Sequence, residues 1–494
     1  MKNILLVITA ILLISCVETD NELYQVAKSS YKIKHLRRGQ SKYVINGTFL
    51  GNKKRNYYGN EAPSKLNVIW KTALGSGQTR VGKEIKTWSG AGWTGQPLVV
   101  KDTNGEIFIL QGTYEHNIKK ICLFDGKVVA KYYFDDVIKG TGTIWEQYDS
   151  LGRIKDFLIL QGSRYGLNNS LSTPVIPSYR AVSFYTMKDV WQYNSQRTDS
   201  YSRDVDGSCI IINDTAYLGL ENGIFIVFDP NPSFAEKKDG LLQPFVYNTD
   251  SLYVKSDIKT HRGNLVTESS PCFLNGKIYV TSGSGHLWGY NIGEKKIDWR
   301  FDTGSDMDGS PVVTNDNKIL VTIEKEYIAG QGGVMKLDVS KSPENVVEWY
   351  FPTGNQNFAM WQGGVIGSVG ISDFYNDTLN LAAFVGIDGW LYVVKHNELD
   401  TGKMVNSPDN SKKYPCPRLV FRYKTGASIS TPLIVGNKLI AATYNGVYLF
   451  EFDNLLNFKV LDHFAAGSFE STPFVWNKRI YVACRDGYLY CFGE

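Results

Sequence analysis

The stretch IDWRFDTGSDMDGSPVV, residues 297–313, decides the fold, because altered copies of it recur along the chain. It contains an apolar run with Trp299, a TG turn, a short acidic segment and a second apolar run that starts after Ser310-Pro311. VVEWYFPTG, LVFRYKTG and LNVIWKTALG repeat its first half, and TESSPCFL, SISTPLIV and FESTPFVW repeat its second half. Such recurrence is the sequence pattern of a repeat protein.

Eight apolar segments mark the centres of the repeats. They are EIFILQG (106–112), DFLILQG (156–162), TAYLGLENG (215–223), KIYVTSG (277–283), KILVTIE (318–324), LNLAAFVGIDG (379–389), KLIAATYNG (438–446) and RIYVACRDG (479–487). The repeat length is 40 residues from Pro271 to Pro311 and 41 residues from Pro432 to Pro473. Four short strands in about 40 residues are typical of a propeller blade, so the sequence predicts an all-β, eight-bladed β-propeller of four-stranded blades.

The two ends of the repeat region predict a closed ring. The last repeat stops at GYLYCFGE without a fourth strand, and LNVIWKTALG (66–75) resembles a fourth strand without a repeat of its own. Pairing the two removes exposed sheet edges, which otherwise template aggregation. We therefore predict that residues 66–494 form one monomeric propeller whose last blade is closed by the N-terminal strand.

The N-terminal residues carry a targeting signal. MKNILLVITAILLISC has a lysine and then an apolar core that is too short for a membrane-spanning helix. It ends in Leu13-Ile14-Ser15-Cys16, which matches the bacterial lipobox, so residues 1–16 are predicted to be a lipoprotein signal peptide with lipidation at Cys16. We expect a cell outer membrane protein that faces the periplasm or the cell surface and contacts the membrane through its lipid anchor only.

Residues 17–65 are basic and free of repeats, as KIKHLRRG and NKKRNYYG show. The simpler interpretation is a tether between lipid and ring, and the alternative is charge attraction to anionic headgroups or a polyanionic ligand. The whole chain carries a net charge of only +4. Because the repeats also contain no basic stripe, we expect no nucleic-acid partner.

GHLWGYNIGEKKIDWRFDTG (285–304) resembles the repeat of the quinoprotein-type (PQQ-like) β-propeller family, which includes the scaffold lipoprotein of the outer-membrane assembly machinery. The resemblance covers about residues 66–494 and implies that one aromatic side chain per repeat is a wedge between blades. These wedges are Trp70, Trp299, Trp349 and Phe421. The family's dehydrogenases carry a vicinal disulfide, and many carry a haem site. This sequence has neither an adjacent cysteine pair nor CxxCH, so we expect no PQQ and no haem.

Long loops are predicted on one face of the ring. In a propeller the connections between blades and the turns between second and third strands share a face, which we name the top face. Both sets are long here, for example GKEIKTWSGAGWTGQP and QGSRYGLNNSLSTPVIPSYR, whereas turns on the opposite, bottom face are short, such as LNGK and VGNK. Functional residues gather on loops held by a rigid scaffold, so we expect the site on the top face.

Carboxylates in neighbouring top loops are candidate ligands for Ca²⁺, which prefers several hard oxygen ligands. They are Asp306, Asp308, Glu324 and Glu326. However, the Asp308 position recurs as Glu268 and Glu470, and recurrence around the ring favours structural caps that bind loop N–H groups. Both interpretations stay open at this point.

A second candidate site combines histidine, tyrosine and arginine. Elimination beside a uronic acid needs a cation for the carboxylate, a base for the C5 proton and an acid for the leaving oxygen, and some propeller polysaccharide lyases resemble this set. The candidate catalytic residues are His116 and His261 as base and acid, Tyr114 and Tyr165 as assisting groups, and Arg203 and Arg262 at the carboxylate. The candidate ligand-binding residues, which offer stacking rings and positive charge, are Trp88, Trp93, Trp361, Arg164 and Arg197.

These residues lead to three functional hypotheses. The first is an envelope protein whose top face binds carbohydrate, in particular an acidic polysaccharide, with β-elimination as its sharper form. The second is a non-catalytic scaffold or assembly factor of the outer membrane that binds envelope proteins. The third is a glycoside hydrolase that uses Glu324 and Glu326. The tryptophans of TWSGAGWTG and the adjacent His261 and Arg262 favour the first hypothesis.

Overall fold

The repeats form eight antiparallel sheets arranged as a propeller in the computed structural model, which describes residues 41–494. Each sheet is a blade of four strands, numbered here from the axis outward. All eight segments that marked the repeats in the sequence are second strands. The predicted all-β, eight-bladed propeller is therefore confirmed.

The strands of blades 1 to 4 have these bounds. Blade 1 contains Leu98–Lys101, Ile107–Gly112, Asn117–Cys122 and Val128–Tyr133; blade 2 contains Thr143–Tyr148, Ile154–Gly162, Tyr179–Ser183 and Asp189–Tyr193. Blade 3 contains Ile210–Ile212, Thr215–Gly219, Ile224–Asp229 and Phe245–Ser251; blade 4 contains Cys272–Leu274, Lys277–Thr281, His286–Asn291 and Lys296–Asp302.

The strands of blades 5 to 8 have these bounds. Blade 5 contains Val312–Val313, Ile319–Ile323, Gly333–Leu337 and Val347–Pro352; blade 6 contains Gly370–Ile371, Leu381–Val385, Trp390–Asn406 and Lys413–Lys424. Blade 7 contains Leu433–Val435, Lys438–Thr443, Gly446–Phe452 and Phe458–Phe464; blade 8 contains Phe474–Trp476, Arg479–Ala483, Tyr488–Gly493 and, as its fourth strand, Asn67–Ala73.

Insertions add short elements to this frame. Two hairpins lie in top-face connections, Ser76–Val81 with Glu84–Ser89 and Asn355–Phe358 with Trp361–Gly363, and a third, Glu236–Lys238 with Leu241–Gln243, lies in a bottom-face connection. The helical turns are Pro232–Phe234, Asp257–Thr260 and Pro343–Asn345. Among residues 41–494, no helix has the length and apolar character needed to cross a membrane.

The N-terminal strand closes the ring, as the sequence predicted. Asn67–Ala73 pairs antiparallel with Tyr488–Gly493. Trp70 of this strand also packs beside Gly126 of blade 1, where an added Cβ would lie 2.6 Å from its ring. No open sheet edge is left between the last blade and the first, which removes a template for aggregation.

The other predicted wedges also contact the following blade. Trp349 of blade 5 is buried, and its indole N–H donates to the His396 carbonyl of blade 6 at 2.9 Å. Phe421 of blade 6 stacks on Phe458 of blade 7 with ring centroids 4.4 Å apart. Trp299 packs against a core cluster shared by blades 4 and 5. Blade-to-blade packing thus explains the recurring aromatic residue.

A belt of hydrogen bonds explains the recurring Ser/Thr before proline. In five consecutive junctions, from blade 3 to blade 8, a backbone N–H at the start of one blade donates to a hydroxyl of the next at 2.8–3.3 Å. Gln96 N–H donates to Thr141 Oγ1, Ser208 Oγ donates to the Thr141 carbonyl, and Thr472 N–H donates to the Gly95 carbonyl, so every junction is linked. We name these eight residues the hydroxyl belt, although blade 1 supplies a glutamine: Gln96, Thr141, Ser208, Ser270, Ser310, Ser368, Thr431 and Thr472.

Residues 43–60, named here the axial segment, run along the inner side of the ring. Val44–Asn46 pairs with the first strand of blade 1. Backbone carbonyls of the segment accept from the first strands of blades 2, 4, 5 and 8 at 2.7–3.0 Å, and the buried Arg55 donates to carbonyls at the start of blades 3 and 4. Gly59 lies so close to blade 8 that an added Cβ would be 1.5 Å from the Val475 carbonyl oxygen.

The structure corrects the predicted boundary between tether and ring. The sequence led us to assign residues 17–65 to a tether, but residues 43–60 belong to the folded domain because their backbone groups bond to blades around the axis. The basic residues that suggested a tether include Arg55, whose charge is held by internal carbonyls. The predicted signal peptide, residues 1–16 with Cys16, and the rest of the predicted tether, residues 17–40, lie outside the described residues.

Candidate functional site

The top face opens into a cavity of about 240 Å³ beside the axis. It is lined mainly by Trp93, Tyr201, Asn264, Glu268, Asp306, Asp308, Glu324, Glu326 and Trp361. Next to it, a gap of about 20 Å³ on the axis reaches Phe49 of the axial segment. A gap of that size holds about one water molecule. The cavity is thus a pocket of the top face with the axial segment beneath it.

One position of the repeat sets the chemistry around the axis. This axial position lies two residues before each member of the hydroxyl belt, and its occupants in blade order are Thr94, Lys139, Asp206, Glu268, Asp308, Ile366, Ile429 and Glu470. Six of the eight line the axial gap. Blades 6 and 7 supply isoleucine, whereas blades 2 to 5 supply one lysine and three carboxylates. The charged side of the axis is therefore fixed by four neighbouring blades.

Three carboxylates of the predicted metal site come together. Oxygen atoms of Asp306, Asp308 and Glu324 all lie within 4.8 Å of one another, and we name these three residues the open carboxylate set. The fourth predicted ligand, Glu326, lines the same cavity. Within residues 41–494, no lysine or arginine forms an ion pair with the open set. The nearby Lys325 donates to the Ile328 carbonyl instead.

Local backbone contacts hold the open set in place. Asp306 and Asp308 lie in the connection from blade 4 to blade 5, and Glu324 follows the second strand of blade 5. The Glu324 N–H donates to the Asp306 carbonyl at 3.0 Å, which joins the two acidic segments. Gly309 permits this approach, since an added Cβ would lie 2.0 Å from Thr322 Oγ1. The three carboxylates are thus positioned by backbone rather than by flexible side chains.

An amide beside the open set leaves buried oxygen atoms without partners. Asn264 is buried, and its side-chain N–H donates to Asp306 Oδ2 at 2.6 Å. The remaining oxygens, Asn264 Oδ1 and Asp306 Oδ1, are buried and accept no hydrogen bond. Buried polar atoms are rarely left without a partner. Unpartnered amide and carboxylate oxygens at a cavity are the kind of ligand that a hard cation requires.

A second set of carboxylates lies beside the first and contains its own cation. Oxygen atoms of Asp206, Glu221 and Glu268 lie within 4.8 Å of one another. The buried Lys139 ammonium contacts them at 2.5, 3.4 and 3.3 Å. We name these four residues the lysine-filled set. Glu268 also accepts the Trp93 indole N–H at 2.6 Å, so this set anchors an aromatic wall of the cavity.

Burial and crowding of like charges raise the pKa values of several carboxyl groups in the two sets. Burial raises the pKa of Asp306 to about 7 and that of Glu324 to about 10, with further upward contributions from neighbouring carboxylates. The same causes raise the pKa of Asp308 well above its ordinary value. In the lysine-filled set, burial raises the pKa of Asp206 to about 7 although Lys139 opposes the shift. The open set therefore holds protons near neutral pH, for which a cation would compete.

Two predicted tryptophans form the aromatic side of the cavity. The rings of Trp93 and Trp361 are 6.0 Å apart and tilted by 37°. Trp361 is carried by a top-face hairpin. The backbone of Trp93 is in the left-handed region at φ 51°, which is unusual for a bulky residue. A strained backbone persists only where surrounding contacts stabilise it. Here Glu470 Oε2 accepts a hydrogen bond from the Trp93 backbone N–H at 3.4 Å.

A third predicted tryptophan lies in a separate basic cluster. Trp88 lies between two guanidinium groups, Arg164 and Arg485, each 5.8 Å from its ring. The predicted Tyr114 is buried beneath it, with ring centroids 5.2 Å apart. Arg164 donates to Asp204 at 2.8 Å and Arg485 donates to Glu470 at 2.8 Å. Both positive charges are therefore already paired with carboxylates.

The two predicted catalytic histidines do not share a site. His116 follows the second strand of blade 1, and its Nε2 bonds to the Gln78 carbonyl of the top-face hairpin at 2.8 Å. His261 is buried in the connection between blades 3 and 4, where its ring contacts Tyr327 at 4.7 Å. Burial lowers the pKa of His261. Neither histidine lines the cavity, and their roles as acid and base stay predictions.

The remaining predicted residues are dispersed over the top loops. Arg203 is buried and donates to the backbone carbonyls of Ser195 and Leu171, which is a structural position. Arg197 is exposed in the connection between blades 2 and 3, and Arg262 is exposed in the connection between blades 3 and 4. Tyr165 is half-buried beside Arg164, and its N–H donates to Asp204. None of these four residues lines the cavity.

Several site residues were missed in the sequence, although a signal was present. They are Lys139, Asp206, Glu221 and Asn264. DVDGS (204–208) and DMDGS (306–310) share one pattern in blades 3 and 5, and this pattern marks Asp206 as the equivalent of Asp308. In Lys139-Gly140-Thr141, Lys139 occupies the same repeat position and carries a positive instead of a negative charge. Glu221 is also marked, because aligning TAYLGLE (215–221) with KILVTIE (318–324) places it at the position of Glu324. Asn264 has no comparable signal, because it reaches the site from a loop of variable length.

Comparisons with known proteins bear on the fold of the chain alone. No protein-family model and no curated protein matches the chain. BamB from Moraxella catarrhalis has 11% sequence identity and a TM-score of 0.48, and the match covers 87% of this chain and 98% of BamB. The computationally designed Ika8 protein has 10% identity and a TM-score of 0.48, and the match covers 85% of this chain and 99% of Ika8. Quinohemoprotein alcohol dehydrogenase from Comamonas testosteroni has 12% identity and a TM-score of 0.52 over 91% of this chain and 80% of its own. The likeness extends to the fold alone.

Proposed function

We propose that the top-face cavity binds carbohydrate, in particular an acidic sugar, together with a divalent cation held by the open carboxylate set. The observation that carries this proposal is the meeting of three converging carboxylates and two tryptophan rings in one cavity. Flat rings stack on sugar faces, and carboxylates bind hydroxyl groups or hard cations. The cavity, at about 240 Å³, is small for a ligand pocket and suits one sugar unit at a time.

Charge explains why a cation belongs to this proposal. The cavity is lined by Glu268, the open set and Glu326, and Lys325, which also lines it, donates to the Ile328 carbonyl instead of pairing with the open set. Without a cation, the open set holds protons near neutral pH and offers no positive charge to the carboxylate of an acidic sugar. A divalent cation bound to Asp306, Asp308, Glu324 and the Asn264 amide oxygen would offset two of the three carboxylate charges, and the sugar carboxylate could fill one of its remaining coordination positions.

The experiment measures cation and glycan binding separately. Calorimetry with Ca²⁺, and then with uronic-acid oligosaccharides in Ca²⁺ or in chelator, should show cation binding alone and glycan binding only when Ca²⁺ is present. Asp306→Asn keeps the shape of the side chain and should weaken cation binding, and with it glycan binding, by about 100-fold. Glu294→Gln, at an exposed turn on the bottom face, is the matched control and should leave both unchanged.

The same samples test the catalytic form of the hypothesis. Ultraviolet absorbance of unsaturated uronate during incubation would report β-elimination, and His116→Ala and His261→Ala would then show whether either histidine takes part. Absence of both cation and glycan binding would refute our proposal and leave the non-catalytic envelope scaffold as the better hypothesis. Glycan binding that is equally strong in chelator would refute the role of the cation.

We also propose that the protein is anchored in the outer membrane by lipid at Cys16. The support is the lipobox at residues 13–16, which lies outside the described residues. Cys16→Ser should release the chain from the membrane fraction and prevent incorporation of a labelled fatty acid. Retention of the substituted chain with unchanged labelling would contradict this assignment.

A further inference from the structure

The described chain begins on the bottom face of the ring. The Tyr43 carbonyl accepts from the Lys101 N–H at 2.7 Å, at the bottom end of the first strand of blade 1. The Tyr43 ring lies 6.0 Å from Phe157 near the start of the second strand of blade 2, which is also a bottom-face position. Residues 1–40 therefore join the ring at blades 1 and 2, on the face opposite the cavity.

The same face carries most of the strongly exposed large apolar side chains. Among the described residues, the highest exposed fractions are 83% for Leu455, 78% for Phe124, 75% for Leu151 and 71% for Met360. The first three lie in bottom-face turns of blades 7, 1 and 2, and only Met360 is on the top face. Phe374, in a bottom-face turn of blade 6, is half exposed. The apolar tips thus follow an arc from blade 6 to blade 2, which includes the point of chain entry.

Two of these tips are held rigid by the same turn chemistry. Asp149 Oδ1 accepts from the N–H groups of Leu151 and Arg153 at 2.8 and 2.9 Å. Asp453 Oδ1 accepts from the N–H groups of Leu455 and Asn457 at 2.9 Å each. In each turn the carboxylate accepts hydrogen bonds from two backbone N–H groups, which fix the conformation of the loop from which the leucine projects. A preorganised tip loses little conformational entropy when it is buried against a partner.

We propose that the bottom face lies on a lipid bilayer, with the tips Phe124, Leu151 and Leu455 inserted among the headgroups. The predicted lipid at Cys16 brings a bilayer within reach, because residues 17–40 span at most about 80 Å when fully extended. The tips are spread around an arc instead of forming one patch, which fits a flat surface better than a protein partner with a continuous contact area. The cavity then points away from the membrane, toward soluble glycans or neighbouring molecules.

A collision-quenching experiment tests this orientation on the full lipidated chain. Single fluorophores are attached to L455C, F124C or M360C, and the protein is reconstituted in phosphatidylcholine vesicles that contain no other protein. Five of the six described cysteines are buried, so background labelling is low and is measured on the unsubstituted chain. Because a tip at the headgroup–acyl boundary is shielded from water, iodide should quench L455C and F124C at least about fivefold less than M360C.

A second variant ties the protection to the apolar tips themselves. Phe124→Asp with Leu151→Asp should raise iodide quenching of the L455C label, whereas Met360→Asp, matched in exposure on the opposite face, should not change it. Unchanged melting temperatures would show that the ring is intact in both. Equal quenching at all three labels, greater protection of M360C, or failure of the chain to remain with the vesicles would each overturn the proposal.

Discussion

Two sets of three carboxylates lie side by side on the top face, and within residues 41–494 only one of them is paired with a cationic side chain. In the lysine-filled set, the Lys139 ammonium lies 2.5–3.4 Å from the carboxylates of Asp206, Glu221 and Glu268. In the open set, Asp306, Asp308 and Glu324 converge equally closely without any such partner. The difference indicates that the first set is a completed structural unit, whereas the second needs protons or a bound cation.

The comparison also shows how a repeat protein builds an asymmetric site. Lys139, Asp206 and Asp308 occupy the same axial position in different blades, and each precedes the hydroxyl belt by the same two residues. The backbone frame is shared, so the side chain at that position alone decides whether a junction is basic, acidic or apolar. The recurrence that suggested structural caps in the sequence is thus compatible with a binding role at Asp308.

The largest effect is expected when the lysine-filled set loses its cation. Lys139→Met should lower the free energy of unfolding by about 3–5 kcal/mol, because buried carboxylates are left without a counter-charge. Ca²⁺ should restore part of this loss, since the emptied set would then resemble the open set. Denaturant unfolding with and without Ca²⁺ measures both effects.

A surface lysine is the control for this experiment. Lys277→Met removes an ion pair with Asp298 at the more exposed edge of blade 4 and should cost no more than about 1 kcal/mol. If Lys139→Met unfolds like the unsubstituted chain in the absence of Ca²⁺, the buried ion pairs do not stabilise the ring and the contrast between the two sets fails.

The second prediction removes one ligand from the open set. Asp306→Asn should weaken Ca²⁺ binding by about 100-fold. The cation loses the negative charge of one ligand, and one oxygen of a side chain that is held by Asn264 is replaced by an amide nitrogen. The equivalent change in the other set, Asp206→Asn, should leave Ca²⁺ affinity within about threefold, since Lys139 already occupies that site. Calorimetry measures both, and equal losses would contradict the distinction.

The fold was predictable from the sequence to a greater degree than the site. Trp299, Ser310 and their counterparts recur because every blade must pack against the next, and such repeated local demands are visible in one sequence. The axial segment was missed because Arg55 and its neighbours read as a basic tether, while their partners are backbone carbonyls of distant blades. The predicted metal ligands were found together because adjacent loops carry them.

The histidine and arginine part of the predicted site could not be placed in the same way. His116 and His261 lie in top loops, as expected, but loop conformation decides where their side chains point. Likewise, nothing in the sequence distinguishes Arg203, which donates to buried carbonyls, from the exposed Arg262. Lengths and compositions of loops therefore indicate a face of the ring, but they do not indicate which side chains converge.

The third prediction uses pH to separate protons from cations. The pKa of Asp306 is raised from its ordinary range to about 7 by burial, so the folded chain binds more protons than the unfolded chain between about pH 4 and 7. Without Ca²⁺, this group's contribution to stability therefore falls as pH rises through that window. Ca²⁺ affinity should increase at least about tenfold per pH unit below 7, because the proton on Asp306 must leave, and it should continue to rise above pH 7, because Glu324, with a pKa of about 10, must also lose its proton.

Melting temperatures between pH 5 and 8, with and without Ca²⁺, provide the measurement. In Asp306→Asn the dependence on pH should become shallower, because one of the shifted groups is gone, while Asp206, also raised to about 7, keeps its contribution. Ca²⁺ stabilisation that is equal at pH 5 and pH 8 would show that the open set does not exchange protons for the cation.

The smallest effect is expected at the aromatic wall, where Trp93 bonds to the lysine-filled set and Trp361 bonds to neither set. Trp361 lines the cavity and, among the described residues, forms no hydrogen bond with either carboxylate set, so Trp361→Ala should weaken glycan binding by about fivefold and leave Ca²⁺ affinity unchanged. Trp93 donates to Glu268 at 2.6 Å and lies 5.1 Å from the Lys139 ammonium, so Trp93→Ala should also lower the melting temperature. Calorimetry and melting curves of both variants decide the matter. If Trp361→Ala impairs Ca²⁺ binding as strongly as glycan binding, the cation and the sugar do not occupy separable parts of the cavity.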